Sequence, residues 1–284
     1  GEAYNPGPHP HQSRRLRRAG RATPVSHVND VRFRFHNVQG LSDARFRGLY
    51  LERARATCDV LAIAEANWGS EEEARKWSAD WSRSSGAYWC LGRKAARGMG
   101  IFFADALGEV HAKVLWRDEV EGRGLAVQAT IHGRTTVIVA FHADVTGGDG
   151  VQERSYERLR RNVPMVADAE YVWLLDANNI LSPHEDGSRS DGVADTQTHA
   201  GGVRGLQSCL TEWGGLVDAY RHLHPDLREF THMQTVGATD ERAAYRLARR
   251  LDRVYVTRSM LAAGVPRVVT ARHVWPTSPE LVAL

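Results

Sequence analysis

Asp176 and Asn178 stand two residues apart in the run Leu174-Leu175-Asp176-Ala177-Asn178-Asn179, directly after the apolar stretch Tyr171-Val172-Trp173. That stretch has the composition of a buried strand, and residues two apart at a strand end project to the same side. A carboxylate placed there can orient or deprotonate a water molecule, and a neutral amide beside it can hold a phosphate oxygen. The pair is equipment for phosphodiester hydrolysis, which also needs a cation and a donor for developing negative charge. Four other strand ends carry polar residues of suitable kinds: His36-Asn37-Val38-Gln39-Gly40, Ala64-Glu65-Ala66-Asn67-Trp68, Ala140-Phe141-His142-Ala143-Asp144 and Arg250-Leu251-Asp252-Arg253. A lone Asn-x-x-Gly is more often a turn, and a lone Glu after a strand is usually solvated. The ordered set is far more specific than any member.

The elements that must position these residues follow from the hydrophobic pattern. Val31, Phe33 and Phe35 alternate with Arg32 and Arg34, as in a half-buried strand. Residues 44–57 read as a helix capped by Ser42, with Phe46, Leu49, Tyr50 and Ala54 on its apolar face. Residues 59–64, 100–104, 126–131, 135–141, 171–175 and 251–256 read as strands, with a hairpin turn at His132-Gly133. Residues 152–163 and 203–213 read as helices, and Trp77 and Trp81 read as packing residues. Hairpins mixed with crossover helices imply an α/β fold of two packed mixed sheets with helices outside. No break divides residues 30–284.

At 42% hydrophobic and 25% charged residues the composition is that of a soluble globular protein. No apolar run approaches the ~18 residues of a membrane span, and no secretory leader is visible. Cys58, Cys90 and Cys209 are too widely separated for a disulfide framework, which implies a reducing compartment, nuclear or cytoplasmic. Residues 1–29 carry Pro6, Pro8, Pro10 and Pro24 and no core pattern, so they read as a disordered arm. Arg14, Arg15, Arg17, Arg18 and Arg21 make that arm either a strand of phosphate contacts or a solvated linker. Gly1 in place of Met implies an excised piece of a longer polypeptide.

The ordered strand ends resemble the endonuclease/exonuclease/phosphatase superfamily, which includes deoxyribonuclease I and the apurinic endonucleases. The resemblance runs most nearly to the endonuclease domain of LINE-type non-LTR retrotransposons. It is carried by His36-Asn37-Val38-Gln39-Gly40, Asp59-Val60-Leu61-Ala62-Ile63-Ala64-Glu65, Arg97-Gly98-Met99-Gly100-Ile101, Asp176-x-Asn178, Val217-Asp218-Ala219-Tyr220-Arg221 with His224-Pro225, Phe230-Thr231-His232 and Arg250-Leu251-Asp252-Arg253-Val254. It implies a four-layer, deoxyribonuclease I-like sandwich. It implies that Glu65, with Asn37 close by, ligates Mg²⁺, for which Mn²⁺ can substitute. Asp176 would activate water, and Asn178 would bind the phosphate. His142, or Phe141 if the register is shifted by one, would sit near the phosphate, where an imidazolium could donate. Asp252 would orient a C-terminal His from a Ser-Asp-His motif. The chain contains no such motif, which implies that it stops at or just before it; His273 lacks the preceding Ser-Asp.

Nucleic-acid contacts are implied at Arg14, Arg15, Arg17, Arg18, Arg221 and Thr231, with DNA as partner and a reverse transcriptase fused downstream. Arg246, Arg249, Arg250 and Arg253 read either as phosphate contacts or, for the first three, as a solvated helix face. Two other readings stand beside the nuclease: a catalytically inactive nucleic-acid-binding or structural module, and a phosphatase of a small phosphoester. The basic arm favours a polyanion over the latter. Deleting residues 1–29 is expected to weaken DNA binding and to flatten its salt dependence. Each lost phosphate contact removes about 0.9 from the slope of log affinity against log salt, measurable by fluorescence anisotropy across a salt series; an unchanged slope would show an arm that touches no DNA.

Overall fold

The computed structural model describes residues 31–40, 43–81, 86–92, 97–144, 148–193, 195, 199–238 and 243–262. The basic arm, Ser42 and His273 lie outside them. In chain order the elements are β1 (Phe33–Asn37), α1 (Ala44–Thr57), β2 (Val60–Ala64), α2 (Glu71–Trp81), β3 (Ala87–Cys90), β4 (Met99–Phe103), β5 (His111–Arg117), β6 (Gly124–Ile131), β7 (Arg134–His142), α3 (Asp149–Asn162), β8 (Glu170–Asp176), α4 (Pro183–Asp186), β9 (Gly187–Arg189), α5 (Ala200–Glu212), β10 (Val217–Asp218), α6 (Ala219–Leu223), β11 (His232–Val236), β12 (Tyr245–Arg249), β13 (Asp252–Val256) and α7 (Arg258–Ala262).

The strands form a four-stranded sheet in the order β1-β2-β4-β3, a six-stranded sheet in the order β10-β13-β8-β7-β6-β5, and a small sheet in the order β11-β12-β9. Both large sheets are mixed: β1–β2 and β7–β8 are parallel and the other pairs antiparallel. Parallel neighbours need a crossover, supplied by α1 and α3. The β6–β7 hairpin turns at His132 and Gly133, both with positive φ, as a two-residue turn of matching twist requires.

Strand alternation builds four layers. Val60, Ala62 and Ala64 of β2 face Leu125, Val127, Ile138, Ala140, Val172 and Leu174 of the second sheet. Leu61 and Ile63 face outward onto Leu51, Ala54, Trp77 and Trp81 of α1 and α2. On the far side Val137, Val139, Phe141, Trp173 and Leu175 pack against Tyr156, Leu159, Leu206 and Cys209 of α3 and α5. Two central sheets with helices on both outer faces are the α/β sandwich expected.

Two local expectations are corrected. Helix α1 has the expected span, but Asp43 caps it, accepting from the Arg45 and Phe46 amides. It buries Leu51 and Ala54, whereas Phe46 and Leu49 are exposed, because only the C-terminal half of the helix lies on the sheet. The arginines near residue 250 lie on no helix. Arg246 and Arg249 belong to β12, and Arg250 and Arg253 are buried beside Asp186 and Asp218. Arg253 Nη2 lies 2.9 Å from Asp186 Oδ2, and Arg250 pairs with Asp218. Burial alone would raise the Asp186 carboxyl, yet Arg253, Arg250 and Arg221 together hold it at about 2.

Trp81 is fully buried, and its Nε1 donates to Phe103 O at 2.8 Å. Trp81→Ala is expected to destabilise the protein by about 3–5 kcal/mol. Chemical denaturation should show a lower midpoint with an unchanged slope.

Candidate active site

One row of paired residues crosses three neighbouring strands: His142 of β7 is level with Asp176 of β8, and Asp176 with Asp252 of β13. Each continues the inward-facing alternation of its strand, after Ile138 and Ala140, after Val172 and Leu174, and before Val254. Asn37 does the same after Phe33 and Phe35. The functional candidates therefore emerge where the core between the two sheets opens to solvent. A cleft of about 370 Å³ opens there, lined by Asn37, Gln39, Glu65, Asp176, Asn178 and Asp252 among others.

Glu65 breaks the alternation, since the preceding Ala64 already faces inward. The chain solves this with a left-handed residue: Glu65 has φ 51°. That conformation is uncommon outside glycine and costs on the order of 1–3 kcal/mol. Backbone bonds hold it in place, from Gly40 N to Glu65 O at 2.8 Å and from Ala66 N to Gly98 O at 3.2 Å. The Glu65 carboxylate then reaches across the gap, with Oε1 3.3 Å from His142 Nε2.

Asp176 is gripped from two sides. Asn37 Nδ2 donates to its Oδ2 at 3.2 Å and the Asn178 backbone N–H to its Oδ1 at 2.9 Å. Asn178 donates one side-chain hydrogen to Ala143 O at 2.9 Å, which leaves the second N–H of that amide for a ligand. Phe141 is buried against Tyr156 of α3, with ring centroids 5.3 Å apart, so it belongs to the outer core, while His142, itself buried and not part of the cleft lining, turns toward Glu65 and Asp176, which are. Burial lowers the proton affinity of His142, Asp176 opposes this, and the Arg123 cation reinforces it. Arg123 Nη1 lies 3.0 Å from His142 Nδ1.

Asp252 has a different state from its neighbour. Burial first, then the adjacent Asp176, push its carboxyl up to about 8, against opposing effects of Thr231 and Arg253. Its Oδ1 has no partner among the described residues. Thr231 lines the cleft, and its hydroxyl accepts from the Leu251 and Asp252 amides at 3.0 Å each, so it anchors the start of β13.

Arg221 is spent inside the protein. It donates to Leu227 O, Glu185 O and Asp186 Oδ1 and is no part of the cleft lining, which replaces its reading as a nucleic-acid contact. Arg14, Arg15, Arg17 and Arg18 lie outside the described residues. Sequence reasoning missed Gln39, Asn179 and His199 as cleft-lining residues and Arg123 beside His142, while Arg249, read as a phosphate contact or a solvated helix face, does line the cleft. The His36-Asn37-Val38-Gln39-Gly40 motif contained the signal for Gln39; nothing local marks Arg123.

Among the described residues no group of three or more His, Cys, Asp or Glu side chains is arranged to hold a metal ion. Glu65, its side chain 24% exposed, and Asn37 line the same cleft and offer it a carboxylate and an amide oxygen. This suits Mg²⁺, which takes one or two protein oxygens and completes its shell with water and phosphate. Among the described residues no helix is long and apolar enough to cross a membrane. Cys58, Cys90 and Cys209 are free and buried.

No protein-family model and no curated protein matches the chain. Solved structures do. An AP endonuclease from Archaeoglobus fulgidus superposes with a TM-score of 0.58 at 18% identity, over 82% of this chain and 88% of that one. The 3'-5' exonuclease NExo from Neisseria meningitidis gives 0.57 at 20% identity, over 82% and 89%. The endonuclease domain of TRAS1, a telomere-specific non-LTR retrotransposon, gives 0.53 at 13% identity, over 82% and 87%. At such identities the likeness is one of fold. The chain has the deoxyribonuclease I-like fold that these structures share, as the ordered strand ends implied.

The state of Asp252 has a measurable consequence. Between an unfolded pKa of about 3.9 and a folded value of about 8, the folded protein keeps a proton that the unfolded chain releases. This group therefore makes stability fall as pH rises through that window. Asp252→Asn, which imitates the protonated acid, is expected to flatten that slope in metal-free buffer. The two proteins should differ least near pH 4 and most above about pH 8, by denaturant titration. Parallel stability curves would refute the neutral carboxyl.

Proposed function

We propose that the protein is a Mg²⁺-dependent phosphodiesterase that nicks DNA, and that it acts as the endonuclease domain of a retrotransposon polyprotein whose nick primes reverse transcription. The observation that carries the hydrolytic reading is that two cleft-lining carboxylates, Glu65 and Asp176, converge on the buried His142 Nε2, at 3.3 Å and 3.9 Å. Structural neighbours named as an AP endonuclease and as a retrotransposon endonuclease domain support DNA as the substrate and the retroelement setting.

Asp176, held by Asn37 and the Asn178 amide, orients the attacking water and accepts its proton. The remaining N–H of the Asn178 side chain and Nε2 of His142 donate to phosphoryl oxygens, where negative charge grows. Glu65 and Asn37 would hold Mg²⁺, or Mn²⁺ in its place, which when bound neutralises charge at the phosphate and leaving oxygen. One observation favours the second reading, a binding module of the same fold: Asp252 Oδ1 has no partner among the described residues to pass its orientation on to.

Supercoiled plasmid separates the two. In Mg²⁺ the chain should yield open circles whose 3' ends a polymerase extends, and EDTA should stop the reaction. Glu65→Gln and Asp176→Asn should each lower nicking by on the order of 10²-fold or more with thermal stability retained. Plasmid binding without nicking, unchanged in both variants, would establish the binding module instead.

A further inference from the structure

We propose that Arg123 is a positioning residue of this site: its guanidinium fixes His142 as the tautomer with its proton on Nε2, so the imidazole serves as a hydrogen-bond donor and leaves water activation to Asp176. The catalytic consequence rests on the phosphodiesterase reading; the tautomer does not. A guanidinium carries only donors. With Arg123 Nη1 at 3.0 Å, His142 Nδ1 must present its lone pair, and a neutral ring then bears its hydrogen on Nε2. The other side of the ring agrees: Nε2 faces acceptors, Glu65 Oε1 at 3.3 Å and Asp176 Oδ2 at 3.9 Å. A ring of opposite tautomer would point a hydrogen at a cation and a lone pair at two carboxylates.

The fold places Arg123 firmly enough for this role. It is buried, only 6% exposed. Its Nη2 is tied to Asp144 Oδ1 at 3.4 Å, and its carbonyl accepts the His142 amide at 2.9 Å, so the two residues are linked through both backbone and side chain. The turn before it is closed by Gly122 N to Asp118 O at 2.7 Å and Glu121 N to Asp118 Oδ1 at 3.1 Å. Gly122 has φ +64°, and a Cβ there would lie 2.3 Å from Gly92 Cα, so the turn closes only with glycine. Arg123 thus acts on the reaction through the His142 ring and not by a contact of its own.

Long-range ¹H–¹⁵N correlation spectra of the full chain with ¹⁵N-labelled histidine test the proposal, with His142→Asn used to assign the ring. The wild type should show His142 Nδ1 as an unprotonated and Nε2 as a protonated nitrogen. Arg123→Met should mix or reverse the two, and nicking kcat should fall on the order of 10²-fold, the size of losing one aligned donor, with KM little changed. Arg123→Lys, which keeps a donor, should restore the wild-type ring pattern and part of kcat. Where Arg123→Met does not fold, Arg123→Gln, whose amide can accept as well as donate, should give the same mixed pattern. A wild-type ring protonated on Nδ1 overturns the proposal. So does a ring pattern unchanged in a folded Met or Gln variant, whatever happens to kcat. A wild type with the expected pattern that nicks no DNA upholds the tautomer and removes the phosphodiesterase reading.

Discussion

The register of β8 between β7 and β13 is the constraint on which the site depends. Side chains alternate along a strand, so a slip of one residue would turn Asp176 into the outer core and bring a leucine into the cleft. Apolar packing on both faces of β8 forbids that slip: Val172 and Leu174 are committed to one side, Trp173 and Leu175 to the other. The chemistry is thus aligned by residues that take no part in it. The same alignment gathers the carboxyl groups of Glu65, Asp176 and Asp252 at one mouth. Such crowding is tolerable because donors surround Asp176 and because Asp252 keeps its proton.

The loops beyond the strand ends are rigid by a different means. Gly98 N donates to Gly122 O at 3.1 Å, Asn67 N to Arg97 O at 2.8 Å, and Gly40 N to Glu65 O at 2.8 Å. These bonds string the turn that carries Arg123, the segment before β4, the Glu65 turn and the loop after β1 into one frame. Gly40 is required within it: a Cβ would lie 2.3 Å from Asn67 Nδ2 at a φ of +77°. On the opposite wall Arg253 Nη2 donates to Asn179 O at 3.3 Å while paired with Asp186, and Gln152 Nε2 donates to Asn178 O at 3.2 Å. Donors fixed before substrate arrives need no reorganisation during reaction, which is where electrostatic catalysis gains most.

The legible part of this architecture was the part written in local pattern. β2, β7 and β8 are apolar runs that lead into polar residues, β13 is an apolar run that follows them, and the hairpin turn is marked by a glycine where positive φ is needed. What stayed hidden depends on partners distant in sequence. β11, His232–Val236, carries mostly exposed polar side chains and exists through its pairing with β12. Arg250 and Arg253 read as surface charges because their buried partner Asp186 is 67 residues from Arg253. Helix α1 shows an apolar stripe that the sheet covers only at one end. Arg123 has no signature of its own; the pairing of Gly124 with Phe141 puts it under His142.

Several departures from local preference lie at the site. Glu65 and Asn178 hold left-handed backbone, one buried oxygen of Asp252 is unpartnered among the described residues, and an arginine is buried against an imidazole. Each lowers stability relative to an apolar or glycine alternative. Beside one cleft at the end of a well-packed core, they suit a preorganised polar site. The core supplies the surplus. Both central sheets bury β2, β4, β7 and β8 almost completely, and the strained, proton-holding end of the sandwich is stable only because the remainder is so regular.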